Sequence, residues 1–375
     1  MSERETVRIR TLAVQAFRNH EESTVSPGKR STILVGPNAA GKSNLLEAVT
    51  LAVSGSSFRP FSWPDVVMEG HELARVRVDA ERGARAVSVK LQVDSAGKRT
   101  FQVDGKRKKG PSDVVGTVPA VTFVPDDLQL AKGPAEARRK AVDTLGSQLS
   151  SAYAALRAEY TRVVRQRTAL LRQRDTATEL GAWDEALTTI GAAFFIHRAR
   201  LATRIERVIV PFYETLSGGE EVRLRLAASW GGESVAPHEW AEMSRDEVER
   251  VITEAIGRKA HAERARGMTL IGPHRDDIVF TVEGRTARGF ASQGQQRSLA
   301  LAWKMAEAEV IGDVRGHTPV LLLDDVMSEL DESRREALQR FVNGGPQALI
   351  TTTNLAYFDA GGFDGAEIVE VHGVR

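Results

Sequence analysis

The sequence predicts an α/β fold in which a head domain is built from both ends of the chain and a mainly helical lobe is inserted between them. Three observations carry this. An apolar run, Ser31–Val35, leads into Gly36–Ser43, which has the pattern G-x-x-x-x-G-K-S. A second apolar run, Val320–Leu323, ends in the carboxylate pair Asp324-Asp325. Between them, from about Ala135 to Ala265, apolar residues recur at helical spacing. The expected boundaries are 1–130 and 268–375 for the head and 131–267 for the insertion.

Arg8 to Phe17 alternates loosely, as a half-buried strand does. Ser31–Val35 reads as a short buried strand, and Lys42 to Ala52 as a helix. Ala86–Val93 and Arg99–Val103 form a predicted hairpin across Ser95-Ala96-Gly97, and Asp104-Gly105 signals a further turn. In the insertion, Tyr153, Leu156, Tyr160, Val163 and Leu170 form a stripe near heptad spacing, with Arg157, Arg162, Arg165 and Arg172 off it. That stripe is read as core packing. The block is far shorter than a long coiled-coil arm, and Pro211, Ser217-Gly218-Gly219 and Gly231-Gly232 are expected to break it into pieces. After Met268 the α/β pattern returns, with strands at Val320–Leu323 and Ala348–Thr351 and a helix from Glu332 to Val342.

Of the 375 residues, 42% are hydrophobic and 27% charged, values ordinary for a globular protein. The absence of cysteine excludes disulfides, thiolate zinc sites and a cysteine nucleophile. Met1 to Thr6 lacks the apolar stretch of a signal peptide, and no apolar run approaches the ~20 residues that span a bilayer. A soluble, cytoplasmic protein with no membrane partner is expected. The net charge of +1 is unevenly spread. Arg82–Lys109 and Lys132–Arg174 each carry +7, leaving −13 on the remainder. Such segregation suits a polyanionic partner, and equally describes solvated faces. The same two readings hold for Lys106-Arg107-Lys108-Lys109.

The residue types in 36–43 answer to phosphate chemistry. Gly36 and Gly41 let the chain curl so that the N–H groups of Pro37-Asn38-Ala39-Ala40 and its neighbours, proline excepted, face phosphate oxygens. Lys42 supplies a point charge for the β/γ-phosphates, and the Ser43 hydroxyl a ligand for Mg²⁺. The following helix adds the positive end of its dipole. ATP with Mg²⁺ is the expected ligand. At the end of the 320–323 strand, Asp324 is the candidate metal contact, and Asp325 the group that orients the attacking water. Ser292-Gln293-Gly294-Gln295-Gln296 opens a helix striped by Leu299, Trp303, Ala306 and Val310. Ser292 and Gln295 have capping-box spacing, which explains them as a helix cap. The same helix N-terminus is also an anion site, one that a second copy's phosphates could use.

The order of these motifs, completed by Ser328-Glu329-Leu330-Asp331, resembles the ABC/SMC-type P-loop ATPases, which implies a head of that fold. The resemblance implies that Ser292 acts in trans across an ATP-gated head-to-head dimer and that 328–331 line its seam. Further segments resemble the RecF family of recombination mediators: Ala16-Phe17-Arg18-Asn19-His20, Ser57-Phe58-Arg59, Phe123–Leu128, Arg138-Arg139 with Asp143, Arg165-Gln166-Arg167, Trp183-Asp184 and Gly272–Asp277. Val124, Asp126 and Thr168 depart from the family's usual Ser, Glu and Asn. The likeness implies a role for Arg18 near the nucleotide, although as a residue it also reads as an edge-strand surface arginine. It also implies binding to duplex DNA near single-strand gaps, a RecR partner and help in loading RecA. Thr351-Thr352-Thr353, where transporter ATPases carry a histidine, implies weak hydrolysis. His274 and Arg275 read either as a charged turn or as neighbours of the nucleotide. A related ATPase of a defence or transport system, or a clamp that binds ATP for structure alone, are the rival readings.

Overall fold

Five parallel strands form the centre of the head. In the computed structural model, which describes residues 4–173, 177–358, 363 and 365–372, strand β1 (Glu5–Phe17) and β2 (His20–Val25) precede β3 (Ser31–Val35), the phosphate-loop strand. After β3 the chain enters helix α1 (Lys42–Ser54) and then a meander of β4 (Leu73–Arg82), β5 (Arg85–Asp94), β6 (Arg99–Val103) and β7 (Lys106–Lys108). Strand β8 (Ala120–Phe123) closes this part. The chain then passes through helices α2 (Ala135–Leu149), α3 (Ser151–Leu171) and α4 (Ala177–Ser217), strand β9 (Val222–Ala227), helix α5 (Arg245–Arg266) and strand β10 (Asp277–Val282). It returns along helix α6 (Gln293–Arg315), strand β11 (Val320–Asp324), helix α7 (Glu332–Asn343) and strands β12 (Ala348–Thr352) and β13 (Glu367–Glu370).

Contacts divide the chain into two units, Met1–Asp127 with Trp303–Arg375, and Leu128–Ala302. In the first unit the parallel sheet has the order β13-β3-β12-β11-β8. An antiparallel sheet carries β2, β1, β4, β5, β6 and β7 in succession. Helix α1 touches both sheets. Its Leu45, Leu46, Val49 and Ala52 share one apolar cluster with Ile9, Val76 and Val89 of the antiparallel sheet and with Leu322 and Leu349 of the parallel one. A helix pressed between two sheets must bury nearly all of its circumference, and α1 is buried at almost every position from Leu45 to Val53. The predicted hairpin is present, with Val89 opposite Val103 and Val93 opposite Arg99.

In the second unit, β9 and β10 pair antiparallel, Leu226 opposite Ile278 and Leu224 opposite Phe280. That pairing keeps the chain in this unit beyond 268, so the first unit resumes at Trp303. Pro211 does not interrupt its helix: α4 runs unbroken through it to Ser217. The missing backbone bond there is offset by burial of Ile209 and Tyr213 on either side. Of the predicted stripe, Tyr153, Tyr160 and Val163 are buried, while Leu156 and Leu170 are half-buried. Arg167 lies on the same side of α3, 1% exposed, its charge met by Asp184 and Glu263 at 2.6 Å each.

Candidate functional site

The parallel register sets the site. Leu34, Thr351 and Asp324 lie in one row across β3, β12 and β11, so the loop after β3 and the carboxylates after β11 emerge at the same sheet edge, one strand apart. There Asn38, Ala39, Gly41, Lys42, Ser43, Asn44, Arg59, Asp325, Thr351 and Thr353 line a cleft of about 290 Å³.

The phosphate loop is held from behind. Gly36 has no room for a side chain, since a Cβ there would lie 2.4 Å from the Val371 carbonyl oxygen. Gly41 sits at φ 95°, and a Cβ would meet His20 Nε2 at 2.4 Å. His20 Nε2 pairs with the Gly41 carbonyl at 3.0 Å, and Asn19 Nδ2 donates to the Ala39 carbonyl at 3.1 Å. The turn between β1 and β2 thus buttresses the loop. Arg18, Ala39 and Asp325 all carry positive φ (54°, 64° and 51°), a backbone state uncommon for non-glycine residues and shared here by Ala16, Asp104 and Glu283.

Lys42 is buried, and Nζ donates to the Gly36 and Pro37 carbonyls at 2.7 and 2.8 Å. Burial holds its pKa below the ordinary lysine value, an effect opposed by the negative charges of Asp325 and Asp324. Asp324 is also buried. Its Oδ1 accepts from Thr351 Oγ1 at 2.8 Å, and Arg59 approaches Oδ2 at 3.6 Å. Asp325 donates its backbone N–H to the same threonine hydroxyl at 3.0 Å. Burial and the neighbouring Asp324 carboxylate raise the Asp325 pKa, with Lys42 opposing. Thr351 therefore orients both acids, a role its position in the sequence did not signal. Arg59 donates to Asn44 Oδ1 at 3.0 Å and lines the cleft.

Arg18 is not among the residues lining the cleft. Its guanidinium is bound by the fully buried Glu47 at 2.9 and 3.1 Å and by the Asp65 carbonyl at 2.9 Å. It ties α1 to the segment around Asp65 rather than lining the cleft.

Ser292 belongs to the second unit and is exposed. The capping box forms: Gln295 N–H donates to Ser292 Oγ at 3.2 Å, and Ser292 N–H to Gln295 Oε1 at 2.8 Å. The segment 272–277 is consumed inside that unit. Tyr160 Oη pairs with His274 Nδ1 at 2.7 Å, Arg138 holds Asp277 at 2.8 Å, and Arg139 donates to the Asp276 carbonyl. Burial drives His274 down to about 4 and Asp276 up to about 6. Part of the second basic segment is spent in the same way, because Arg138 and Arg167 have internal carboxylate partners; Arg174 lies outside the described residues. The first basic segment differs. Lys106, Arg107 and Lys109 are exposed on or beside the edge strand β7, with no ion pair among the described residues.

Comparison with known proteins agrees with this architecture. The family described as "RecF/RecN/SMC N terminal domain" matches residues 8–366. A DNA replication and repair protein RecF of Synechococcus sp. (strain JA-3-3Ab) is 39% identical over 369 residues, 97% of this chain and 96% of that protein. The RecF protein of Symbiobacterium thermophilum is 38% identical over 92% of this chain and 91% of its own length. The solved structure of the recombination mediator protein RecF-ATP in the RecFOR pathway superposes with a TM-score of 0.87 at 26% identity, covering 99% of both chains. The RecF-ATPrS structure gives 0.89 at 25%, covering 99% of this chain and 98% of that one. The Smc head of Pyrococcus furiosus, at 14% identity and a TM-score of 0.56, shares the fold. No helix among the described residues is long and apolar enough to cross a membrane. A phosphate loop and an acidic strand end, one strand apart in the same parallel sheet of an ABC/SMC-like head with an inserted unit, are thus matched over almost the whole length: the chain belongs to the RecF family of DNA replication and repair proteins.

Proposed function

We propose that the protein is an ATP-dependent DNA-binding ATPase of recombinational repair, in which ATP closes two copies on duplex DNA near a single-strand gap and weak, DNA-stimulated hydrolysis resets them. The observation that carries this reading is the cleft. One parallel-sheet edge brings Lys42 and Ser43 to Asp324 and Asp325, with Thr351 orienting both acids.

The residues fit a nucleotide with Mg²⁺. Lys42 is a buried ammonium with two carbonyl partners and no carboxylate within ion-pairing distance among the described residues, which leaves its charge available to a phosphate. Ser43 and Asp324 would hold Mg²⁺, the hard-oxygen donor set such sites use when substrate phosphates complete the shell. No cluster of three or more His, Asp or Glu side chains suited to a metal exists among the described residues, in keeping with a metal held largely by phosphate and water. When bound, Mg²⁺ supplies charge neutralisation at the γ-phosphate. Residues 36–43 bind and orient the phosphates, and Asp325 orients water and accepts its proton. Its raised pKa favours that task. Ser292 is the trans contact. The exposed edge around Lys106–Lys109 meets DNA phosphates. RecR as partner and help in loading RecA complete the proposal; the description of the solved relatives within the RecFOR pathway supports the RecR part. The inserted unit, Leu128–Ala302, serves as the second lobe of this machine.

Analytical ultracentrifugation with and without ATP·Mg²⁺ and gapped DNA tests the whole reading. The expected result is a monomer-to-dimer shift with ATP and co-sedimentation with DNA. A sedimentation coefficient unmoved by ATP would defeat it.

A further inference from the structure

The glycine turn that ends α4 has a consequence beyond chain reversal. It delivers Glu220 to the Ser292 segment. Tyr213, fully buried near the end of α4, donates from its hydroxyl to Glu220 Oε2 at 3.1 Å. The other carboxylate oxygen, Oε1, accepts from Gln295 Nε2 at 2.9 Å. Gln295 uses its remaining polar atom, Oε1, to receive the Ser292 N–H at 2.8 Å. A continuous relay therefore runs Tyr213, Glu220, Gln295, Ser292. A second fastening lies one turn on, where Ser298 Oγ donates to the Leu216 carbonyl at 3.3 Å. Ser217 Oγ accepts the Glu220 N–H at 3.1 Å, so the carboxylate is itself fixed at its base.

This is more than a helix cap needs. The capping box satisfies Ser292 and Gln295 by itself, and a Gln295 amide turned to solvent would cap equally well. What the relay adds is a fixed position for the cap relative to the end of α4. The first intrahelical bond at this end is from Gln296 N–H to the Ser292 carbonyl. The Gln293 and Gly294 N–H groups therefore precede the helical ladder, at the end of the helix where an anion is favoured.

We propose that Glu220 is a positioning residue: through Gln295 it holds Ser292 and the first-turn N–H groups of α6 in the orientation needed to receive the nucleotide phosphate of a second copy. This rests on the trans role assigned to Ser292 above. Glu220 touches neither nucleotide nor metal. Its carboxylate acts by hydrogen-bond geometry, and its charge is not required, because glutamine at 220 also offers an acceptor oxygen.

The test uses Gln295→Glu in the full chain. Glutamate keeps the capping box with Ser292 but sets a carboxylate against that of Glu220. ATP-dependent dimerisation should weaken about tenfold, the scale of one hydrogen bond to a charged group. ATP affinity of the monomer should stay unchanged. The double variant Gln295→Glu with Glu220→Gln, in which the amide and the acid trade places, should recover dimerisation to within about threefold of wild type. Glu220→Gln alone should stay near wild type, whereas Glu220→Ala should behave like Gln295→Glu. Ser292→Arg serves as the reference for the underlying reading. If Ser292→Arg leaves dimerisation intact, the trans contact itself falls. If Ser292→Arg blocks dimerisation while Gln295→Glu and Glu220→Ala do not weaken it, or if the double variant is no better than Gln295→Glu, only the role of Glu220 is overturned.

Discussion

At the scale of one residue, Lys42 is the most telling. Its ammonium is buried against two backbone carbonyls, neutral acceptors that an ionised phosphate oxygen would outcompete. Lys42→Ala should weaken ATP binding by at least about 100-fold, as measured by calorimetric titration. Unchanged affinity would remove the phosphate-loop reading. His274 makes the opposite case, a conspicuous residue whose work is internal. Its ring is held neutral between Tyr160 and the Thr269 carbonyl, with a pKa driven down to about 4 by burial. The unfolded chain takes up that proton near 6.5, so the unfolded state binds more protons between 6.5 and 4. The contribution of neutral His274 is full above 6.5 and is lost as pH falls through that window, by roughly 3 kcal/mol in the limit. Asp276, raised to about 6 from an ordinary 3.8, has the opposite sign, since its folded form binds the proton more tightly between those two values, which cover most of the same window. Comparing wild type with His274→Asn isolates the histidine. The stability advantage of wild type in urea unfolding should shrink from about pH 7 to about pH 4, and an advantage independent of pH would show that His274 is not held neutral.

Among elements, the two +7 segments look alike in sequence and differ in structure. The helical one folds part of its charge inward, where Arg138 meets Asp277 and Arg167 meets Asp184 and Glu263. The β-meander ends instead in a short edge strand whose cations face solvent. An edge strand with lysines also resists pairing with other strands, so β7 has a defensive use as well. Replacing Lys106, Arg107, Lys108 and Lys109 with glutamine should weaken DNA binding. The slope of log affinity against log salt should fall by about 1 for each DNA phosphate no longer neutralised. An unaltered slope would return the strand to its defensive role. The legible elements were those whose pattern depends only on near neighbours. The phosphate loop announced itself through glycine spacing, and β3, α1 and β11 through apolar runs with sharp ends. The return of the first unit at Trp303 instead of Met268 was not legible, because it follows from β9 and β10 pairing across a long intervening stretch that includes α5. The continuity of α4 through Pro211 was hidden for a similar reason, since a local rule forbids it and tertiary burial of Ile209 and Tyr213 overrides the rule.

For the whole molecule, the proposed function requires two copies, each completing the other's site. That arrangement has a signature that no single variant shows. Lys42→Ala lacks a phosphate cradle but retains Ser292. Ser292→Arg has the reverse defect. Neither alone should hydrolyse ATP, yet an equimolar mixture should recover turnover, because each mixed dimer contains one intact site. A mixture as inactive as its components would show that the site is complete within one copy.

The sequence by itself determined the local features: a phosphate loop after one strand and two acids after another in the first unit, and a helix cap at Ser292 in the second. These are local patterns, and glycine spacing, apolar runs and capping boxes act over a few residues. The tertiary structure alone decided which residues share the cleft and which serve as its frame. Thr351 became the common partner of Asp324 and Asp325, Arg18 turned to Glu47, His20 came to rest against Gly41, and Glu220 came to hold Gln295. Each of these depends on strand register or helix packing between residues distant in the chain, and no local pattern encodes the angle at which two such elements meet.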